Sequence, residues 1–270
     1  MQVTLDHLVA EARRRAVEAR SSANLSALMR KSEAHVPRGF RDHLQHVAKS
    51  RPAVIAELKK ASPSRGVIRN PFHVGSLATQ LANAGAAALS VLTEEHYFCG
   101  SLDNLVEASA ATDLPCLRKD FIVDQFQILE ARAYHADAIL LIVAALNQPE
   151  LEFLFTRARE SGLDVLMEVH DESELDRAVA VGADTIGVNS RNLKTFEVSL
   201  DTSIRLAESI PADILRVAES GIHDPQDISM LRSAGYQAFL IGESLMRADR
   251  PAEMLRQLLG QDSAAQGAIQ

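Results

Sequence analysis

Residues 138–189, AILLIVAALNQPELEFLFTRARESGLDVLMEVHDESELDRAVAVGADTIGVN, decide the fold. Three short apolar runs, AILLIV near 138–143, DVLMEV near 164–169 and TIGVN near 185–189, are separated by stretches of helical period at 148–160 and 171–181. Strand-length runs that are apolar throughout belong to a sheet covered on both faces, and helical connections between them make that sheet parallel. The same beat extends outward. AVIAEL near 53–58, AALSVL near 87–92 and LPCLRK near 114–119 come before; ILRVAES near 214–220 and AFLIG near 238–242 come after. The remaining helical segments fall at 73–84, 101–111, 125–134, 201–209, 224–234 and 251–259. Eight strands and eight helices in strict order predict an α/β fold, a closed (β/α)8 TIM barrel.

A chain of 270 residues suits one such barrel, which typically takes about 250 residues, with a modest extension. Residues 1–50 read as that extension. Leu5, Leu8, Val9, Ala12 and Ala16 recur at helical spacing with arginines mainly on the other side, giving an amphipathic helix that packs on the barrel. Pro37, Gly39 and Phe40 mark a turn and an apolar anchor before the first strand. The barrel domain is expected over 51–260, and QDSAAQGAIQ at 261–270, without periodicity, is expected to be a flexible tail.

Composition excludes several classes. The apolar fraction is 47% and the charged fraction 24%, ordinary for a globular protein, and no run approaches the roughly 18 apolar residues of a membrane span. The opening MQVTLDHLVAEARRRAVEAR lacks the uninterrupted apolar core of a secretory signal, so a cytoplasmic location is expected. Only Cys99 and Cys116 are present, too few for a disulfide framework or a thiolate metal cage. A net charge of −8 argues against nucleic acid as a partner. An anionic ligand must therefore find a local basic pocket.

In barrels of this type the active site forms at the C-terminal strand ends. Glu57 and Lys59 close the first run, Lys119 the third, Glu168 the fifth, Asn189 the sixth, and Glu219 with Ser220 the seventh. Seven polar groups converging on one mouth would stay unpaired or repel unless they served a ligand. Glu219–Ser220–Gly221 after the seventh run and Ile241–Gly242–Glu243–Ser244 after the eighth stand where barrels commonly bind phosphate through loop amides. His170, Asp171 and Glu172 read differently: Asp171 and Glu174 form a capping-box spacing at a helix start, which accounts for the cluster without a metal.

Several stretches carry a family resemblance. VIAELKKASPSRG at 54–66, TEEHYFCGS at 93–101, LRKDFIVD at 117–124, ARAYHADAILLIVAAL at 131–146, LMEVHDESEL at 166–175, GVNSRNL at 187–193, VAESGI at 217–222 and LIGESLM at 240–246 resemble, in order, the blocks of indole-3-glycerol-phosphate synthases. The resemblance implies a carboxy-lyase of tryptophan biosynthesis that closes the indole ring of 1-(2-carboxyphenylamino)-1-deoxyribulose 5-phosphate, with loss of carbon dioxide and water. By that resemblance Lys119 is similar to the general acid and Glu168 to the general base. Lys59 matches the lysine that holds the substrate carboxylate, with Glu57 as its acidic partner, while Asn189 and Glu219 match residues contacting the reacting ring and hydroxyls. Ser62, Ser220, Gly221, Gly242 and Glu243 match the phosphate site, Arg191 a supporting cation, and Phe98, Phe121 and Leu193 the apolar enclosure of the aromatic ring. The resemblance implies no metal and no organic cofactor. Its partner is a small anionic phosphosugar-anthranilate substrate; association with other tryptophan-pathway enzymes would leave no mark readable in these residues.

Two departures stand out: Tyr134–His135 replaces a small residue and glycine before the fourth strand, and Ser190 replaces a common second asparagine. They put local turn geometry in question. Two other readings compete. A phosphoribosylanthranilate isomerase-like barrel would need a cysteine and aspartate acid/base pair, and a non-catalytic phosphate-ligand binding barrel would have no use for Lys119 and Glu168.

Overall fold

The computed structural model describes residues 4–192 and 197–261. Leu193 and the tail from 262 onward lie outside the described residues. Eight strands form the barrel: β1 Ala53–Leu58, β2 Ala88–Leu92, β3 Cys116–Lys119, β4 Ala138–Ile142, β5 Asp164–Val169, β6 Thr185–Asn189, β7 Leu215–Glu219 and β8 Ala238–Ile241. All neighbours pair in parallel and β8 pairs with β1, so the sheet closes without an edge. Each expected run contains its strand, with ends trimmed by one or two residues where loops begin. A two-residue hairpin, Ala61–Ser62 with Gly66–Val67, rises from the loop after β1.

The helices are α1 Leu5–Ser22, α2 Leu25–Ala34, α3 Phe40–Ala48, α4 Val74–Asn83, α5 Leu102–Ala111, α6 Gln125–Ala133, α7 Gln148–Glu160, α8 Glu172–Ala180, α9 Leu200–Ala207, α10 Pro225–Ser233, α11 Glu243–Arg247 and α12 Pro251–Leu258. Asp124, Asn147 and Asp224 each end a βα-loop in a full capping box, satisfying the first free N–H groups of α6, α7 and α10. Asp171 takes the N–H of Glu174, but the Glu174 carboxylate passes over the Asp171 amide and bonds His170 instead. Asp171 thus caps the helix as expected, only the returning half of the box moves back to His170, and His170 gains a partner the spacing did not announce.

Residues before β1 hold three helices, not one. Phe40 and Leu44 of α3 are fully buried among Ala53, Ala138, Leu215 and Ala238, the first residues of four strands, so α3 plugs the N-terminal end of the barrel. Phe40 is the anchor expected from sequence. Helix α1 reaches the opposite end, where Leu5 and Leu8 line the mouth cavity. Among the described residues no helix is long and apolar enough to cross a membrane.

The unusual Tyr134–His135 pair serves the extension. Lys31 of α2 lies 5.5 Å over the Tyr134 ring, and His35 stacks on His135 with centroids 5.2 Å apart. Ser190 bonds Ser203 at 2.6 Å and so ties the end of β6 to α9. Neither departure enters the mouth.

Asp137 anchors the link from α2 to α3. Its buried carboxylate accepts from the Arg38 amide at 2.8 Å, Arg38 Nη2 at 2.6 Å and the Cys116 amide at 2.6 Å. Burial opposes ionisation, yet bonds from His35, Arg38 and the Cys116 N–H outweigh it and hold the carboxyl below its usual range. Asp137→Ala would leave Arg38 uncompensated, and urea unfolding at pH 7 should show a loss of about 3–5 kcal/mol. Because the folded-state value is depressed, this stabilisation is present at neutral pH and fades in acid, so the gap between wild type and variant should narrow as pH falls below about 4. A gap independent of pH would remove the ionised carboxylate from the explanation.

Candidate active site

Strand alternation builds the site. Ile55, Leu117, Leu166 and Val217 face the barrel interior in one apolar cluster. Two residues further along the same strands stand Glu57, Lys119, Glu168 and Glu219, so the period of two that fills the interior also sets a charged layer above it. Arg118, one residue out of phase, points the other way and is buried against Glu130 at 2.8 Å and Asp120 at 3.2 Å. Asn189 pairs in register with Glu219, and Glu168 with Gly187.

Lys119 is the centre. Its Nζ donates to Glu219 Oε2 at 2.7 Å and to Glu168 Oε2 at 3.1 Å. Burial works against its charge, but Glu219, Glu168 and Glu57 outweigh it and hold the ammonium well above the usual lysine range. Glu168 and Glu219 compete for this one cation. Glu168 also accepts from Asn189 Nδ2 at 3.1 Å and has His170 Nε2 3.3 Å from Oε1. Glu219 has no such help: its Oε1 is buried with no hydrogen-bond partner among the described residues. Burial also favours protonation of both carboxyls, but Lys119 and His170 carry Glu168 below the usual carboxylate range, while Glu219 is pushed above it. The donors therefore hold Glu168 as the ionised carboxylate of the resting site.

Lys59 lies just past β1 and pairs with Glu57 at 2.6 Å. Ser220, with φ of 65°, donates to Asn189 Oδ1 at 2.8 Å, and the Arg191 amide donates to the same oxygen at 3.0 Å. These bonds fix the Asn189 amide so that its nitrogen meets Glu168. Ser220, expected at the phosphate site, thus has its hydroxyl directed to Asn189. Glu243 turns its carboxylate to Arg65 at 3.4 Å, Arg191 at 3.5 Å and Arg247 at 3.3 Å.

Ser62, Gly221, Gly242, Glu243, Arg191, Phe98 and Phe121 line the same cavity as Glu57, Lys59, Lys119, Glu168, Asn189 and Glu219. The Phe98 and Phe121 rings are 6.4 Å apart and tilted at 48°. Sequence reading missed what holds them. Glu94 is buried and accepts the amides of His96, Tyr97 and Phe98 at 3.1, 2.7 and 3.0 Å, shaping the loop that carries Phe98. Asp120 accepts the Phe121 amide at 2.9 Å. Arg15 of α1 reaches both carboxylates, at 3.5 and 3.4 Å, and so joins the extension to the aromatic wall. A glutamate just ahead of a loop aromatic was the available signal.

Two glycines make room for carboxylates. A Cβ on Gly242 would lie 2.2 Å from Glu57 Oε1, and one on Gly187 would lie 2.1 Å from Glu219 Oε1. Gly242 is therefore required by a side chain, in addition to the backbone approach expected from sequence. Gly187→Ala should fold, because the clash is with a carboxylate end, but Glu219 must swing off Lys119. A drop in kcat of about tenfold or more for the ring closure expected from sequence, with unfolding nearly unchanged, is the predicted result. Wild-type turnover would mean that the Glu219–Lys119 contact is dispensable.

The family model described as "Indole-3-glycerol phosphate synthase" matches residues 5–258. The protein named indole-3-glycerol phosphate synthase from Koribacter versatilis (strain Ellin345) is 56% identical over 260 residues, covering 96% of this chain and 100% of that protein. The one from Polaromonas naphthalenivorans (strain CJ2) is 46% identical over 263 residues, covering 97% and 100%. Among solved structures, a 3-hexulose-6-phosphate synthase shares the fold alone, with a TM-score of 0.62 at 13% identity over 77% of this chain and 99% of that one. A match across both the extension and the barrel, at this identity, makes the chain a member of the indole-3-glycerol phosphate synthase family.

Proposed function

We propose that the chain converts 1-(2-carboxyphenylamino)-1-deoxyribulose 5-phosphate to indole-3-glycerol phosphate, carbon dioxide and water. The observation that carries this reading is Lys119 held between Glu168 and Glu219 on the floor of a cavity that also presents Lys59 and an aromatic wall. Lys59 neutralises the substrate carboxylate, and Phe98 and Phe121 enclose the ring. The phosphate lies at Ser62, Gly221 and the 242–243 backbone, with Arg191 adding positive charge. Binding at the two ends folds the substrate so that the ring carbon bearing the carboxylate approaches the ketone.

Lys119 then leaves its carboxylates for the ketone oxygen and protonates the alkoxide as the carbon–carbon bond forms. Carbon–carboxylate cleavage returns its electron pair to the benzene ring. The new hydroxyl departs as water with help from Lys119 or Lys59, and Glu168 takes the proton whose loss completes the indole. Glu219, buried and relieved of Lys119, stays beside the reacting hydroxyls. The partly hidden cation is what makes this order workable: an ammonium among three carboxylates is a reluctant acid until the substrate draws it away.

An isomerase using a cysteine acid or base finds less support. Cys99 and Cys116 are absent from the cavity lining, and burial pushes the Cys116 thiol up to about 12. We assign the activity to the cytoplasm, in keeping with two unpaired thiols.

Purified protein should turn the substrate into a fluorescent indole product. Lys119→Met keeps an apolar stem without a proton donor, so kcat should fall by about 10²–10⁴ while a non-reactive substrate analogue binds within a few-fold of wild type. Lys59→Met should weaken analogue binding as well. Turnover of folded Lys119→Met within a few-fold of wild type would reassign the acid, with Lys59 next in line.

A further inference from the structure

His170 lies two residues beyond Glu168, on the same side by strand alternation, yet it stays out of the cavity lining and has no part in the route above. Glu174 Oε2 accepts both its backbone N–H and its Nδ1–H, each at 2.9 Å. The ring is thereby fixed and its other nitrogen aimed. Nε2 is buried, 3.3 Å from Glu168 Oε1 and off hydrogen-bond alignment in the resting geometry, with no other partner. Thus the two oxygens of Glu168 differ. Oε1 faces Asn189 and His170, which have no reason to move, whereas Oε2 faces only Lys119, which the substrate draws away.

We propose that His170 is a positioning residue, a ring braced by Glu174 that holds Glu168 Oε1 in place and leaves Oε2 as the oxygen that accepts the proton. The charge state agrees with this geometry. Burial opposes protonation, but the carboxylates of Glu168 and Glu174 raise His170 to about 10, and Asp171 next to it also interacts with its charge. A ring that is charged at neutral pH cannot itself be the base, and it can hold Oε1 with a proton on each nitrogen. If it served only to close the first turn of α8, the Nδ1 contact to Glu174 would suffice and the burial of Nε2 against Glu168 would serve no purpose.

The inference rests on Glu168 being the base, and the two can fail separately. Glu168→Gln should abolish turnover; if it does not, the base is elsewhere and both readings fall. If it does, His170→Ala should lower kcat about tenfold or more with KM within about threefold, and His170→Gln, which restores a neutral donor of similar reach, should recover part of that loss. Glu174→Gln removes one of the two carboxylates that keep the ring charged, so the His170 titration, followed by 15N NMR of the imidazole, should move to lower pH by at least about one unit. The alkaline limb of kcat should move with it. A folded His170→Ala enzyme within twofold of wild-type kcat, or a Glu174→Gln profile unchanged while the imidazole titration moves, overturns the proposal. Should the His170 variants not fold, the wild-type spectrum decides: a ring protonated on both nitrogens at pH 8 supports the clamp, and a neutral ring contradicts it.

Discussion

The structure depends on one cation held among carboxylates at the barrel mouth. The Lys119 ammonium sits inside a closed barrel, 2.7 Å from Glu219 and 3.1 Å from Glu168, where an unpaired charge would cost several kcal/mol. Its neighbours cannot be explained apart from it. Three carboxylates gathered in one apolar cylinder would repel each other without Lys119 and Lys59, and burial would work unopposed against the charge of Lys119 without the carboxylates. The cluster still leaves one carboxylate poorly satisfied, and burial pushes Glu219 up to about 7. Glu219 Oε1 has no hydrogen-bond partner among the described residues and leans into the space left open by Gly187.

Much of the surrounding structure serves to hold this layer at the right height. Interior residues such as Leu117, Leu166 and Val217 form the floor, and the next inward position on each strand carries a reacting group. Gly187 and Gly242 supply the missing volume into which Glu219 and Glu57 lean. Above, Glu94 and Asp120 stiffen the loops bearing Phe98 and Phe121, and Arg15 carries the same carboxylates into contact with α1. The extension is thereby wired to the aromatic wall as well as lying across the cavity.

The barrel was legible because a parallel sheet covered on both faces must write its strands as continuous apolar runs, and those runs are short and evenly spaced. The polar strand ends were legible together: charged and polar residues such as Lys119 close most of the apolar runs, and strand ends of a barrel share one mouth. What escaped were contacts between distant loops. Arg15 and Glu94, or Asp137 and Arg38, are far apart in sequence, and no local period connects them. His170 is hidden by a better local explanation, the helix start at Asp171, which is real, although the returning bond from Glu174 goes to His170. Ser220 is expected at the phosphate from its place after the seventh run; the bond from its hydroxyl to Asn189 Oδ1 joins residues 31 apart and has no local signal. Leu193 falls outside the described residues.

The central claim is that Lys119 exchanges its carboxylates for the ketone oxygen of the substrate. A crystal structure with a substrate analogue whose ketone is reduced to an alcohol would test it most directly. The account predicts Lys119 Nζ within about 3 Å of that alcohol oxygen, Lys59 at the carboxylate, and Glu168 Oε2 released toward the ring. A complex in which Lys119 stays locked between Glu168 and Glu219 while another donor meets the alcohol would contradict it.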